Sequence, residues 1–200
     1  MELASELREC RQDLNIQIFD RGESVLSSFP NKLQKYVREW FDEHDVDIQA
    51  CASVDRVEPQ IVHNKGQEFH TDCVVWTAGI QPSPLVQNLN LPKDSRGRIL
   101  LNEHHQVPTY KNVYVIGDCA SLPFPPSAQL AESQGKQAAE VIQCIWKNQP
   151  IRLGKIKLKG VLGSLGKKSG FGVMGKRAVS GRVPRIVKSG VLWMSKNHFG

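Results

Sequence analysis

Val113–Ala120, VYVIGDCA, constrains the fold more than any other stretch of these 200 residues. Four apolar residues in a row, Val113 to Ile116, have the continuity of a strand buried on both faces of a parallel sheet. Gly117 removes the side chain at that strand's carboxyl end, where ligands of open α/β sheets sit, so a ligand can approach the backbone. Asp118 follows, an acceptor-only carboxylate suited to a polyol hydroxyl. A strand closed by a Gly-Asp turn gives the same pattern, so the neighbouring segments decide between the two.

Asp72–Gly79, DCVVWTAG, is a second apolar run ending in small residues, with a strand expected over Cys73–Thr77. Pro125–Gln134, PPSAQLAESQ, places Pro-Pro-Ser before a helix expected over Gln129–Trp146. Ala128, Gln129 and Gln134 form an AQxxxxQ pattern at that helix's amino end, where N–H groups and the positive end of the dipole face any occupant of the pocket. At the start of the chain, Met1–Leu7 reads MELASEL. Leu3, Leu7, Cys10 and Leu14 recur at helical spacing, predicting an amphipathic crossover helix. Asn15–Asp20, NIQIFD, is the strand after it. Asn31–Asp45 is a further amphipathic helix, with Leu33, Val37, Trp40 and Phe41 on one face and Pro30 near its start. A short strand over Asp47–Cys51 closes a βαβ unit. Residues 53–71 read as a β-meander turning at Asn64-Lys65-Gly66. Strands over Arg98–Leu101 and Asn112–Ile116 follow an irregular stretch marked by Pro82, Pro84 and Pro92.

A strand ending in TAG, a strand ending in GD and a helix opening with AQ together resemble the flavin-dependent pyridine nucleotide oxidoreductases. The AQxxxxQ element narrows the resemblance to the type II NADH dehydrogenases, which pass electrons from NADH to quinone. MELASEL is similar to the segment directly after that family's glycine fingerprint, beginning one residue past the last glycine. The resemblance implies an α/β fold: an incomplete, Rossmann-type flavoprotein of two dinucleotide-binding domains with a basic, membrane-docking carboxyl-terminal region. Residues 1–79 would be the NADH-binding domain without its first strand and glycine loop, 80–150 the carboxyl-terminal part of the FAD-binding domain, and 151–200 the membrane-associating region. The expectation is then a carboxyl-terminal portion of an enzyme, from an expressed fragment or a misplaced start codon, that purifies colourless and does not oxidise NADH by itself.

The resemblance also implies roles. Asp118 would anchor the ribitol of FAD beside Gly117, and the helix start at Ala128 and Gln129 would stabilise negative charge on the reduced ring through backbone N–H groups. Gln129 and Gln134 would line the quinone approach, and Gly79 would let the chain pass close to the cofactor. Glu2 would lie near the nicotinamide. Asp20 would accept the adenosine ribose hydroxyls and repel a 2′-phosphate, favouring NADH, with Arg21 as the counter-argument. As a strand-end turn residue Asp20 would need no such role. No residue is expected to act as a nucleophile, because the redox chemistry belongs to the flavin.

Charge is distributed unevenly. The net charge is +6, yet residues 151–200 hold 12 of the 26 Lys and Arg and no acidic residue, leaving 14 basic against 20 acidic residues before them. A boundary near Pro150 follows. Basic residues interleaved with Leu162, Leu165, Phe171, Val191, Leu192, Trp193 and Met194 suit a segment lying on an anionic membrane surface, here the cytoplasmic face as a peripheral protein. A basic tail that only confers solubility or touches nucleic acid is the competing reading; nucleic acid is not expected as a partner. Exposed sheet edges favour a homodimer. Gly170, Gly172 and Gly175 spell GxGxxG in SGFGVMGKR, but no acidic residue follows at dinucleotide spacing, so these glycines read as turns of an irregular or β-rich segment.

Five scattered cysteines contain no CxxC pair, and the six histidines lack metal-ligand spacing, so neither a disulfide framework nor a metal is indicated. Cys119 reads as a small residue packed behind the flavin. No signal peptide and no apolar run of spanning length occur. Two alternatives stay open: a sibling flavoenzyme such as a sulfide:quinone or ferredoxin reductase, and a non-catalytic fragment that binds a membrane or partner.

Overall fold

The computed structural model describes residues 1–199. Helix α1 (Glu2–Cys10) leads into strand β1 (Ile16–Phe19), helix α2 (Asn31–Glu43) and strand β2 (Val46–Gln49). Leu33, Val37, Trp40 and Phe41 of α2, spaced for one helical face, are all buried. β1 and β2 pair in parallel, Ile16 opposite Val46, with α2 as the crossover, which is the expected βαβ unit. The face that α1 turns inward differs from the expected one. Ser5 is its fully buried residue, Met1 and Ala4 pack against the core, and Leu3 is exposed. The apolar periodicity of Leu3, Leu7 and Cys10 misled because α1 meets its neighbours through small side chains and hydrogen bonds.

The meander follows as β3 (Val54–Glu58), β4 (Ile61–Asn64) and β5 (Gln67–His70), antiparallel throughout. Lys65 and Gly66 carry positive φ of 52° and 77°, the left-handed pair of a two-residue hairpin turn. The meander docks on β1 through Phe69, whose ring stands edge-on to Phe19 at 5.0 Å.

The strand expected over Cys73–Thr77 does not form. Residues 73–77 have no ladder partner among the described residues, and Val75 and Trp76 are 54% and 67% exposed. An apolar run becomes a strand only when another segment offers its backbone groups. Beyond it come α3 (Pro84–Asn88), β6 (Ile99–Leu100), β7 (Gln106–Val107), β8 (Tyr110–Tyr114), β9 (Ala120–Ser121) and α4 (Ala128–Trp146). The run before Gly117 pairs antiparallel, β7 with β8, rather than lying in a parallel sheet, and Val113 and Ile116 are exposed. The parallel ladder begins just after the Gly-Asp pair, where β9 lies beside β6. Asp94 ties that ladder down: its carboxylate accepts from the N–H groups of Arg96 and Arg98, the Arg98 guanidinium and the Ser121 hydroxyl.

The last segment forms a three-stranded antiparallel sheet, β10 (Gly160–Leu165), β11 (Ser169–Met174) and β12 (Arg177–Gly181), then helix α5 (Arg182–Phe199). Gly170 and Gly172 are internal to β11 and Gly175 turns into β12, so the glycine-rich motif is sheet and hairpin. A Cβ at Gly163 would fall inside the Phe171 ring opposite, which explains that glycine. Leu165 and Phe171 are buried with Val25, Leu33, Val37, Trp40, Phe41, Val46 and Ile48 in one core. The chain accordingly groups into two units, one of residues 1–75 with 159–200 and one of residues 76–158. The change of unit falls at Leu158 rather than at Pro150. Gly200, the last residue of the expected membrane-associating region, lies outside the described residues.

Candidate functional site

The second unit holds most of the residues singled out from the sequence. Gly117 adopts φ +83°, a conformation that favours glycine, although the space beside it is open enough that a Cβ would stand 3.8 Å from the Ala131 methyl. Its N–H donates at 2.9 Å to Oε1 of Gln134, a completely buried amide one turn and a half into α4. Gln134 therefore locks the Gly-Asp turn onto the amino-terminal part of α4. Its Nε2 is buried without a partner, leaving a buried donor oriented by the same amide. Asp118 is exposed, and its carboxylate has no hydrogen-bond partner among the described residues.

The head of α4 is built as Pro-Pro-Ser predicted. Ser127 caps it, its hydroxyl accepting from the Leu130 N–H at 3.3 Å and its carbonyl from Ala131 at 3.0 Å. Ala128 is exposed and Gln129 half-buried in the first turn. This unit therefore joins an exposed, unpaired carboxylate and a glycine turn to a capped helix head, an acceptor beside the positive end of a helix dipole. Gly79, also in this unit, has φ +108° with nothing within 4 Å of where a Cβ would lie.

Asp20 and Glu2 belong to the first unit. Asp20 ends β1; its Oδ1 accepts from the Gly22 N–H at 2.8 Å, and its backbone continues the ladder to Gln49 and Ala52. Oδ2 remains available, so the turn role and a ligand role coexist in one side chain. Glu2 starts α1 and points its Oε1 at the carboxyl-terminal sheet, where the Ser164 N–H donates at 2.5 Å and the Ser164 hydroxyl at 2.8 Å. Lys188 of α5 completes the set. Burial pushes the Glu2 carboxyl up, but the bonds from Lys188 and Ser164 outweigh it and hold the group below the usual carboxylate range.

The contacts of α1 with the last segment were not foreseen from the sequence. Glu6 pairs with Arg185 at 3.4 Å, the Gly166 N–H donates to the Ser5 hydroxyl at 3.0 Å, and the Lys167 N–H donates to Glu9 at 2.7 Å. A signal was present: Glu2, Glu6 and Glu9 share one helical face, and residues 151–200, with 12 Lys and Arg and no acidic residue, supply the groups that meet them.

Residues 1–135 match the pyridine nucleotide-disulphide oxidoreductase family. The NADH dehydrogenase-like protein YutJ of Bacillus subtilis (strain 168) is 54% identical over 202 residues, covering 100% of this chain and 57% of that protein. The type II NADH:quinone oxidoreductase of Staphylococcus saprophyticus is 30% identical over 134 residues, 64% of this chain and 33% of that protein. Among solved structures, NDH2 from Plasmodium falciparum in complex with NADH superposes with a TM-score of 0.82 at 14% identity, over 96% of this chain and 58% of that one. The last shows a shared fold, and each relative is longer than the part this chain spans. The α/β architecture, the match over residues 1–135 and the similarity to YutJ across this whole chain agree: the chain belongs to the pyridine nucleotide-disulphide oxidoreductase family.

Proposed function

We propose that this chain provides the NADH-binding unit and the carboxyl-terminal part of the FAD site of a type II NADH:quinone oxidoreductase. The observation that carries the reading is the Gly117–Asp118 turn, locked by buried Gln134 against the head of α4. FAD, when bound, would supply the redox chemistry between a reduced nicotinamide and a quinone. Asp118 accepts a ribitol hydroxyl. The first turn of α4, at Ala128 and Gln129, directs its dipole and N–H groups at the electron-rich edge of the ring. Gly79, at its positive φ, gives the cofactor close access to the backbone.

Asp20 offers Oδ2 to the adenosine ribose and opposes a 2′-phosphate, selecting NADH over NADPH despite exposed Arg21. Glu2 stands at the head of α1, toward the nicotinamide. Gln129 lines the quinone approach; Gln134, being buried, acts on it by fixing Gly117. The similarity to proteins named NADH dehydrogenase-like and type II NADH:quinone oxidoreductase supports this reading over a sulfide-oxidising sibling.

Attachment to the anionic cytoplasmic surface of the membrane is assigned to α5. Val183, Ile186, Trp193 and Met194, at helical spacing, form an exposed apolar stripe, while Arg185 and Lys188 turn to α1. No described helix is long and apolar enough to cross a membrane. Association of two copies through exposed apolar residues such as Trp76 and Ile80 accompanies this arrangement.

The test joins the part of YutJ outside the alignment to the start of this chain and measures flavin absorbance with NADH-dependent quinone reduction. Yellow, active protein is expected, and Asp118→Ala should lose the flavin. A well-folded chimera that remains colourless with FAD added would refute the flavin assignment.

A further inference from the structure

Glu2 Oε1 is saturated by the carboxyl-terminal sheet and α5, while Glu2 Oε2 has no protein partner among the described residues. The asymmetry has a structural source. Strand β10 and the turn after it run along α1 as successive rungs: Ser164 to Glu2, Gly166 to Ser5 and Lys167 to Glu9. Ser164 is itself buried, 6% exposed, and its backbone is held in the β10–β11 ladder opposite Gly170, which fixes the direction of its N–H toward Glu2.

A single residue therefore supplies two donors of fixed direction, N–H and hydroxyl, to one carboxylate oxygen. Lys188 brings charge on a flexible stem but less direction. We propose that Ser164 is a positioning residue for Glu2: it holds Oε1 inward so that Oε2 is presented at the head of α1 as a directed acceptor. This rests on the reading that Glu2 faces the nicotinamide. The last segment of the chain would then belong to the dinucleotide site as well as to the membrane surface.

The groups facing Glu2 are Lys188 from α5, the Met1 amine on α1 and Ser164 from β10; Arg185 is engaged by Glu6. The experiment is a carbon-13 carboxyl NMR titration of the 200-residue chain, with the Glu2 resonance assigned by its loss in Glu2→Gln. Ser164→Ala should raise the Glu2 midpoint by about one pH unit, the effect of one lost charge-assisted hydrogen bond, and Ser164→Thr should restore it. A measurement on the unaltered chain guards against a misfolded variant: the Ser164 amide proton shift should follow the Glu2 midpoint and become pH-independent over that range in Glu2→Gln. A Glu2 midpoint unmoved by Ser164→Ala, or a Ser164 amide shift indifferent to Glu2, overturns the positioning role. Failure of the nicotinamide reading shows elsewhere: Glu2→Gln would then leave kcat and KM for NADH of the YutJ chimera unmoved, while the titration still responded to Ser164.

Discussion

Phe171→Ala tests whether the last segment is part of the first unit or an appendage. The Phe171 ring is 3% exposed, lies over Gly163 across the β10–β11 ladder and meets Phe29 edge-on at 5.8 Å. It shares its core with Leu33, Val37, Phe41 and Ile48 from the βαβ unit. Truncating a buried phenylalanine costs about 3–5 kcal/mol through lost transfer energy and the cavity left behind. Domains of this size hold only about 5–15 kcal/mol in all. The substitution should therefore remove a large fraction of the first unit's stability. Trp193→Ala, at 68% exposure on α5, should stay within about 0.5 kcal/mol. Urea unfolding followed through Trp40 fluorescence reports on this core, once the exposed Trp76, Trp146 and Trp193 are replaced by phenylalanine. The Phe171→Ala midpoint should fall far below that of Trp193→Ala measured by circular dichroism. Equal midpoints would mean that the sheet does not pack on α2, and the two-unit grouping would fail with it.

Other expectations follow from the same bonds. Gln134→Leu leaves the Gly117 N–H unpaired, costing about 1–3 kcal/mol, partly offset because the orphaned Nε2 disappears; thermal melting should show a net loss, and a gain would show that the lock contributes nothing. Burial pushes the Asp94 carboxyl up, but bonds from the Arg98 and Arg96 N–H groups, the Ser121 hydroxyl and the Arg98 guanidinium bring it down to about 2. Its contribution is complete above the unfolded carboxylate value and lost as pH falls through about 2, so Asp94→Asn should flatten the acid limb of the stability curve, and an unchanged acid limb would refute it. Vesicle co-sedimentation should retain a salt-resistant fraction that vanishes when Ile186, Trp193 and Met194 become serine; binding of the unaltered chain abolished by salt would refute the apolar half. Arg182→Gln should weaken that binding more than Arg185→Gln, because Arg185 is engaged by Glu6. In the YutJ chimera, equal kcat/KM for NADH and NADPH would refute the role given to Asp20.

Local chemistry was legible where the information was local. The spacing of Leu33, Val37, Trp40 and Phe41 located α2, Lys65-Gly66 located the hairpin, and Pro-Pro-Ser located the start of α4 within one residue. What failed depended on distant partners. Val74 to Trp76 and Val113 to Ile116 have strand composition, but ladders are made by whatever segment lies beside them, and composition does not name it. Basic residues interleaved with Leu192, Trp193 and Met194 point the last segment toward an anionic membrane surface. Part of it instead meets Glu2, Glu6 and Glu9, more than 150 positions earlier in the chain. For the site, the residue types and their order were readable, whereas the lock from Gln134 to Gly117 was not, since burial of an amide is a tertiary fact.

The rungs between α1 and β10 also bear on how the chain is made. Residues 76–158 form a unit inserted between the two halves of the first unit, so α1 leaves the ribosome well before the strands and helix of residues 159–199 that contact it. At about 5–20 residues per second, α1 and the inward face of α2 wait several seconds with their eventual contacts untranslated. During that interval the inserted unit can fold without them, and the buried positions of Val37 and Phe41 are open to chaperones or to other nascent chains. Slow codons or a pause before Lys159 would lengthen the exposure, and the yield of soluble chain should fall with it.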